Sequence, residues 1–360
     1  MSRIGRFLLI GGILAVAAAC GSAGATPTGS APATPAGSTV PSVNTSAVPS
    51  TAGASASASA AATEAGSPAG PLTTIRPGQN GTVVAWGDDS SGQIDVPSGL
   101  SGVVAVAAGD DLSLALKSDG TVVAWGGLDN PAETQVPAAA KNVKAIAAGS
   151  NFAIALRSDG TVIGWGDNSN GQTSPPPSVT GVVEIAAAGT HCVALKSDGT
   201  VVAWGGDSNG ESDVPAGLKN VVHVSAGYDF SAALLADGTV VAWGDKNPTD
   251  VPTGVAKVPA GLSGVTAIAS GFAHNLALKS DGTIAAWGGN QDGETTVPSG
   301  LRAVAIAAGG NFSLAIKSDG TVAAWGGNDA GQSSPPAGLS KVIGISAGGS
   351  HSLAIVASAK

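Results

Sequence analysis

The side chains best suited to acid–base chemistry at neutral pH in this 360-residue chain are four histidines, His191, His223, His274 and His351. A histidine acts as a base beside a nucleophile or carboxylate, and as a metal ligand when other ligands cluster with it. Neither pattern is present. His191, His274 and His351 each stand four residues before an apolar side chain (Leu195, Leu278, Ile355), in a slot that other stretches fill with Leu112, Phe152, Phe230 and Phe312. A slot that accepts leucine and phenylalanine is a packing position, so these rings are expected in a core. His223 lies in a strand-like run with no clustered partner. The segment Asp167-Asn168-Ser169-Asn170-Gly171 echoes a calcium loop but lacks the distal glutamate that completes the ion's shell. The reading is therefore no catalytic residue, no metal and no cofactor.

What remains is the chemistry of binding. Two sets of short segments differ from copy to copy while the sequence around them repeats. The first set holds Asp110, Asp111, Asn151, Tyr228, Asp229, Phe272 and Asn311. The second holds Asp88, Asp89, Asp167, Asn168, Asp207, Lys246, Asn247, Asn290, Gln291 and Asp329. Loops on a rigid scaffold are where recognition residues concentrate, and Tyr228 and Phe272 are the aromatic anchors among them. The competing reading for each polar position is an Asx-type turn with no external role.

The scaffold is announced by Trp-Gly pairs. All seven tryptophans sit in one, at Trp86, Trp125, Trp165, Trp204, Trp243, Trp287 and Trp325, with gaps of 39, 40, 39, 39, 44 and 38 residues. A period of about 40 filled with short β-like runs points to an all-β, seven-bladed β-propeller. Runs such as Val143–Ala148 end in small residues, as innermost strands crowded round an axis must. Phe152–Arg157 and Thr161–Trp165 flank Asp159-Gly160, which reads as a type I′ hairpin turn. A fourth, outer strand is expected to lead to Val-Pro, as at Val96-Pro97 and Val214-Pro215. The folded part starts midway through a repeat at Asn80-Gly81 and ends with the missing half at His351–Val356. Residues 342–357 and 81–97 should then form one composite blade that closes the ring. Strand direction places both variable loops of every blade on one face. The 44-residue gap adds a stretch around 250–257, read as a tolerated bulge.

Residues 1–20 have Arg3 and Arg6 followed by the apolar run Phe7–Ala19, too short to span a bilayer but suited to a signal peptide. Ala17-Ala18-Ala19-Cys20 resembles a lipobox, with Cys20 as the lipidated first residue of the mature chain; Ala17-x-Ala19 also suits an ordinary signal peptidase and a secreted product. Residues 21–78 are an Ala/Ser/Thr/Pro/Gly linker expected to be disordered, and 79–360 form the propeller. Net charge is −9, and −11 once the two leader arginines are removed, with no basic run, which argues against nucleic acid as a partner. Cys192, inside a strand-like run, reads as a small buried apolar residue.

The pattern carried by Gly348–Leu353, Leu195–Gly205 and Trp165–Gln172 resembles the repeats of the regulator of chromosome condensation family, over about residues 80–357. In repeat length it is similar to a secreted branch, the propeller-type β-lactamase inhibitor proteins. That resemblance implies a non-enzymatic propeller that grips a target with the loops of one face. In those inhibitors the loops are rich in aromatics, whereas here they are mostly Asp, Asn, Ser and Gly. The expected role is an exported, monomeric binding propeller, lipid-anchored at the cell membrane or secreted, whose loops hold an envelope or extracellular protein or a glycan. Inhibition of a secreted enzyme such as a class A β-lactamase is the alternative. Nucleotide exchange on a small GTPase, the role of the founding family member, conflicts with export.

Overall fold

The computed structural model describes residues 79–127, 131–246 and 254–358. The leader, Cys20, the linker to residue 78 and Asn247 lie outside the described residues. Among those described there is no α-helix, only strands, turns and one 3-10 turn at Pro131–Glu133.

Strand β1 (Gly81–Gly87) precedes the first complete unit, β2 (Val103–Ala108), β3 (Leu112–Lys117) and β4 (Val122–Gly126). The next are β5 (Val143–Ala148), β6 (Phe152–Arg157) and β7 (Val162–Gly166), then β8 (Val182–Ala188), β9 (His191–Lys196) and β10 (Val201–Gly205). They continue with β11 (Val221–Ala226), β12 (Phe230–Leu235) and β13 (Val240–Gly244), and β14 (Val265–Ser270), β15 (His274–Lys279) and β16 (Ile284–Gly288). The chain finishes with β17 (Ala305–Ala308), β18 (Phe312–Ile316) and β19 (Val322–Gly326), and β20 (Val342–Ala347) and β21 (His351–Ala357). Every unit is a three-stranded antiparallel meander. The last is composite: β1 pairs with β21 from Gly81↔Ala357 to Gly87↔His351, so the N-terminal strand completes the C-terminal sheet. The first strand of each unit touches that of the next, and β20 touches β2, so the units form a closed propeller.

No unit has a core of its own. Each hydrophobic cluster lies between neighbours, as where Leu112, Leu114 and Leu116 meet Ala153, Ala155 and Trp165. Across the seam Leu353 and Ile355 meet Val103, Val106 and Trp125. The tryptophans explain the period. Each indole N–H donates to a backbone carbonyl of the preceding unit at 2.8–3.1 Å, on Gln93, Glu133, Gln172, Glu211, Val255, Glu294 and, for Trp86 across the seam, Gln332. In the extra stretch the described residue Val255 is buried and takes the indole bond of Trp287. Trp204→Phe keeps the ring and removes the donor to Gln172. We expect it to cost about 1–3 kcal/mol in urea unfolding at constant m-value.

Two local expectations are corrected. The Asp-Gly turns are not type I′. Gly120 donates to the Lys117 carbonyl and Lys117 to the Thr121 carbonyl, and of the Asp-Gly pair only the glycine has positive φ, +79° at Gly120. This is a type I turn closed by a glycine bulge, because the aspartate is engaged elsewhere: Asp119 Oδ1 accepts from both the N–H and the hydroxyl of Thr121. Those bonds hold the exposed Asp119 carboxyl down to about 2. The second correction concerns the outer strand. Among the described residues none forms at the Val-Pro steps; the proline opens a β-turn instead, as in the bond from Leu100 N–H to the Pro97 carbonyl with Gly99 at φ +78°. Val96 N–H is satisfied two residues back by Ile94, which leaves no donor row for a ladder.

Candidate functional site

Both variable loops of a unit are tied together by backbone bonds. Asp88 N–H donates to the Ser350 carbonyl, Gly127 to Asp111, Asp167 to Asn151, Gly206 to Thr190, Gly289 to Ala273 and Gly327 to Asn311. The two sets thus share one face. Much of the second set is occupied by its own loop. Asp88 accepts from Ser90 and Gln93, which holds its carboxyl low, and Asp89 accepts from Ile94 N–H. Asp167 is held by Ser169 and Gln172, Asn168 by Thr173 and Ser174, Asp207 by Ser212, and Asn290 by Thr295 and Thr296. The Gln or Glu at the loop's end closes the turn, as when Gln172 Oε1 accepts from Asn170 N–H. Lys246 is paired with Asp213.

The face surrounds an axial channel. First strands from all units line a cavity of about 440 Å³, walled mostly by alanine and serine and including Lys144 and Glu184. Above it the channel narrows to a mouth of about 110 Å³ ringed by the Ala-Gly loops. Glycine is required there because neighbouring loops nearly touch: a Cβ on Gly109 would lie 2.3 Å from the Gly149 carbonyl oxygen, and one on Gly348 2.3 Å from that of Gly109. Asp110, Tyr228 and Phe272 stand at this mouth. The Tyr228 and Phe272 rings, from adjacent units, meet at 4.3 Å between centroids and 34° between planes. Burial raises the Asp110 carboxyl, and burial with the nearby carboxylates of Asp110 and Asp229 raises the Tyr228 phenol. Beside the mouth, Asp88, Asp110, Asp111, Phe272, Asn311 and Asp329 line a cleft of about 420 Å³ together with Asp292.

Six stretches, 103–130, 143–172, 182–211, 221–247, 265–294 and 303–332, match the regulator of chromosome condensation (RCC1) repeat. This is an RCC1-repeat protein. Among curated proteins none matches the chain. Among solved structures it is similar to Prp20p of Saccharomyces cerevisiae, studied with its binding to Gsp1p and histones: TM-score 0.66, 18% identity, over 80% of this chain and 94% of that one. It is similar to human WBSCR16 with TM-score 0.60 and 18% identity, over 77% of this chain and 100% of that one. The ectodomain of the Arabidopsis thaliana receptor kinase ACR4 gives TM-score 0.54 and 20% identity, over 68% and 88%. At these identities the likeness concerns the fold.

In the RCC1 scaffold the histidines are built into unit interfaces. Nε2 of His191, His274 and His351 lies 2.8–3.0 Å from the hydroxyl of Ser231, Ser313 and Ser113 in the following unit. Each serine in turn donates to a carbonyl, of Glu211, Glu294 and Gln93. The serine proton is thereby spent, so Nε2 carries the ring proton and Nδ1 is left without a partner. Full burial pulls all three rings down to about 4. His223 corrects the sequence reading, for it has partners on both sides. Nδ1 meets the Glu184 carboxylate of the unit before, and Nε2 lies 3.1 Å from the Ile268 carbonyl of the unit after. Other first strands hold Ala105, Ala145, Ala267, Ala305 or Gly344 at that register. A pair split between positions 39 apart was detectable only by aligning the repeats against one another. Cys192 is buried and free, its thiol pushed well up by desolvation. Among the described residues no group of three or more His, Cys, Asp or Glu could hold a metal ion.

The candidates therefore divide. Asp88, Asp110, Asp111, Tyr228, Phe272, Asn311 and Asp329 gather at the mouth and the cleft beside it. Asp89, Asn151, Asp167, Asn168, Asp207, Asp229, Lys246, Asn290 and Gln291 line neither cavity.

Proposed function

We propose that this RCC1-repeat propeller is a non-enzymatic binder, exported and held at the cell membrane through Cys20, that grips a protein through its loop face. The observation carrying the reading is the convergence of variable loop residues, including an exposed aromatic, on one mouth and cleft of an otherwise repetitive ring. The subjects of related propeller structures, Prp20p with Gsp1p and histones and yeast RCC1 with Kap60, make protein the favoured partner class. The leader and the linker sequence supply the export part of the proposal.

A photocrosslinking residue at Asn311 or Asp329, on the full chain in its native envelope, is expected to give discrete adducts. The same residue at Ser118, in an Asp-Gly turn outside the loop face, should give none. Equal labelling from both positions would refute the loop-face assignment. Cys20→Ser is expected to move the protein from the membrane to the soluble fraction, and an unchanged distribution would refute the anchor.

A further inference from the structure

We propose that the packed, mutually tilted Tyr228–Phe272 pair at the channel mouth receives a cationic side chain, best an arginine, from a basic segment of a protein partner. Phe272 is 39% exposed and is the single aromatic among the large apolar side chains left exposed in the described residues. Its ring is braced by Tyr228 and its backbone by Gly309 and Gly310, so the platform is presented rigidly. An aromatic face attracts a guanidinium through its quadrupole, and the planar cation stacks where an ammonium cannot.

Charge decides the occupant. Phe272 also walls the cleft that holds Asp88, Asp110, Asp111, Asp292 and Asp329, and Asp110 belongs to mouth and cleft alike. No lysine or arginine lines either cavity among the described residues. An acidic partner segment would bring like charges together in a concave, partly desolvated site, where repulsion is strongest. A basic segment relieves it, and Asp110, largely withdrawn from water, gains most from an arriving cation. Serine- and alanine-lined space continues beneath the mouth.

This inference rests on the loop face being a binding surface, and the experiment separates the two. Tyr228 is the chain's one tyrosine, so 3-fluorotyrosine labelling of the full chain puts a single ¹⁹F reporter at the mouth. The probes are a short Gly/Ser peptide with two arginines, the same peptide with neutral citrulline, and a neutral oligosaccharide. We expect a saturable ¹⁹F shift with the arginine peptide and at least tenfold weaker binding of the citrulline peptide. Asp110→Asn, which keeps the shape, should weaken the arginine peptide about fivefold, and Phe272→Leu by a similar factor. Asp198→Asn, in an Asp-Gly turn outside both cavities, should change affinity by less than twofold. Equal binding of citrulline would overturn the proposal by showing that the site does not read the positive charge, and equal loss with Asp198→Asn would overturn it in favour of bulk electrostatics. A shift with the oligosaccharide alone would overturn it while leaving the loop face a binding surface. Silence toward every probe would also overturn it, and the loop-face reading would then stand or fall on the crosslinking result.

Discussion

A chain ending at Ser350 is expected to lose cooperative unfolding altogether. Deleting β21 removes the central strand of the composite sheet, leaving β1 and β20 without a partner between them. It also withdraws Leu353, Ala354 and Ile355, all fully buried, from the two clusters on either side of the seam. Each leucine or isoleucine removed from such a site costs about 2–5 kcal/mol, against a total of about 5–15 kcal/mol for a whole domain. The ring cannot absorb that loss locally, because every unit's core is shared with its neighbours. The control is a circular permutant that joins Ser358 to Gln79 through a short linker and opens the chain between Ala138 and Ala139. Those residues lie in a turn, and the permutant keeps every strand pairing. Its thermal midpoint should fall within a few degrees of the parent. A truncated chain that still melts cooperatively would show that closure contributes little.

How far the residues alone reveal this architecture depends on the range of the interaction. Strand type, order and the composite seam follow from short-range patterns, namely Trp-Gly spacing, small residues in the first strands and the split repeat at either end. The hairpin geometry departs from the type I′ expectation because Asp-Gly is compatible with two turns. What decides between them is the side chain of Asp119 or Asp159 reaching Thr121 or Thr161, and that selects the bulged type I form. The absent fourth strand has a similar cause: Pro97 and Gly99 satisfy a turn more completely than an edge ladder. At the site, the loop sets could be identified because they vary within one chain. Their division into residues that line the mouth or cleft and residues that do not could not, since it depends on where each loop stands on the face: Gln93 holds Asp88 as Gln172 holds Asp167, yet only Asp88 lines the cleft. Likewise Glu184 and His223 each look like an isolated exception until two units are laid side by side.

Acid should unfold this propeller well above the range where its carboxylates titrate. His191, His274 and His351 are neutral when folded, with their pKa pulled to about 4 by burial, whereas the unfolded chain takes up protons near the ordinary value of 6.5. The unfolded state therefore binds more protons across that interval. Stability is complete above about 6.5, falls as pH drops toward 4, and stops falling on this account below it. Three such groups lose up to about 1.4 kcal/mol each per pH unit inside the window, a sum comparable with the stability of a whole domain. The depressed aspartates, such as Asp119 at about 2, act in the same direction but only below pH 4, and as exposed groups they are screened by solvent. The decisive variant follows from the repeats. Phe152, Phe230 and Phe312 occupy the histidine slot elsewhere, each ring packed against a glycine, and Gly271 and Gly348 offer the same space beside His274 and His351. Phe312 moreover tolerates Ser352 at the register where His274 and His351 face Ser313 and Ser113, its hydroxyl satisfied by the Gln332 carbonyl. His191 is different, since Ala188 replaces the glycine there and a Cβ at the equivalent Gly149 would collide with the Phe152 ring. His274→Phe with His351→Phe should thus leave stability at pH 7 within about 1 kcal/mol and lower the midpoint of acid unfolding by about half a pH unit or more. Tryptophan fluorescence during acid titration reads that midpoint directly, and an unmoved midpoint would mean that the buried imidazoles do not set the acid limit.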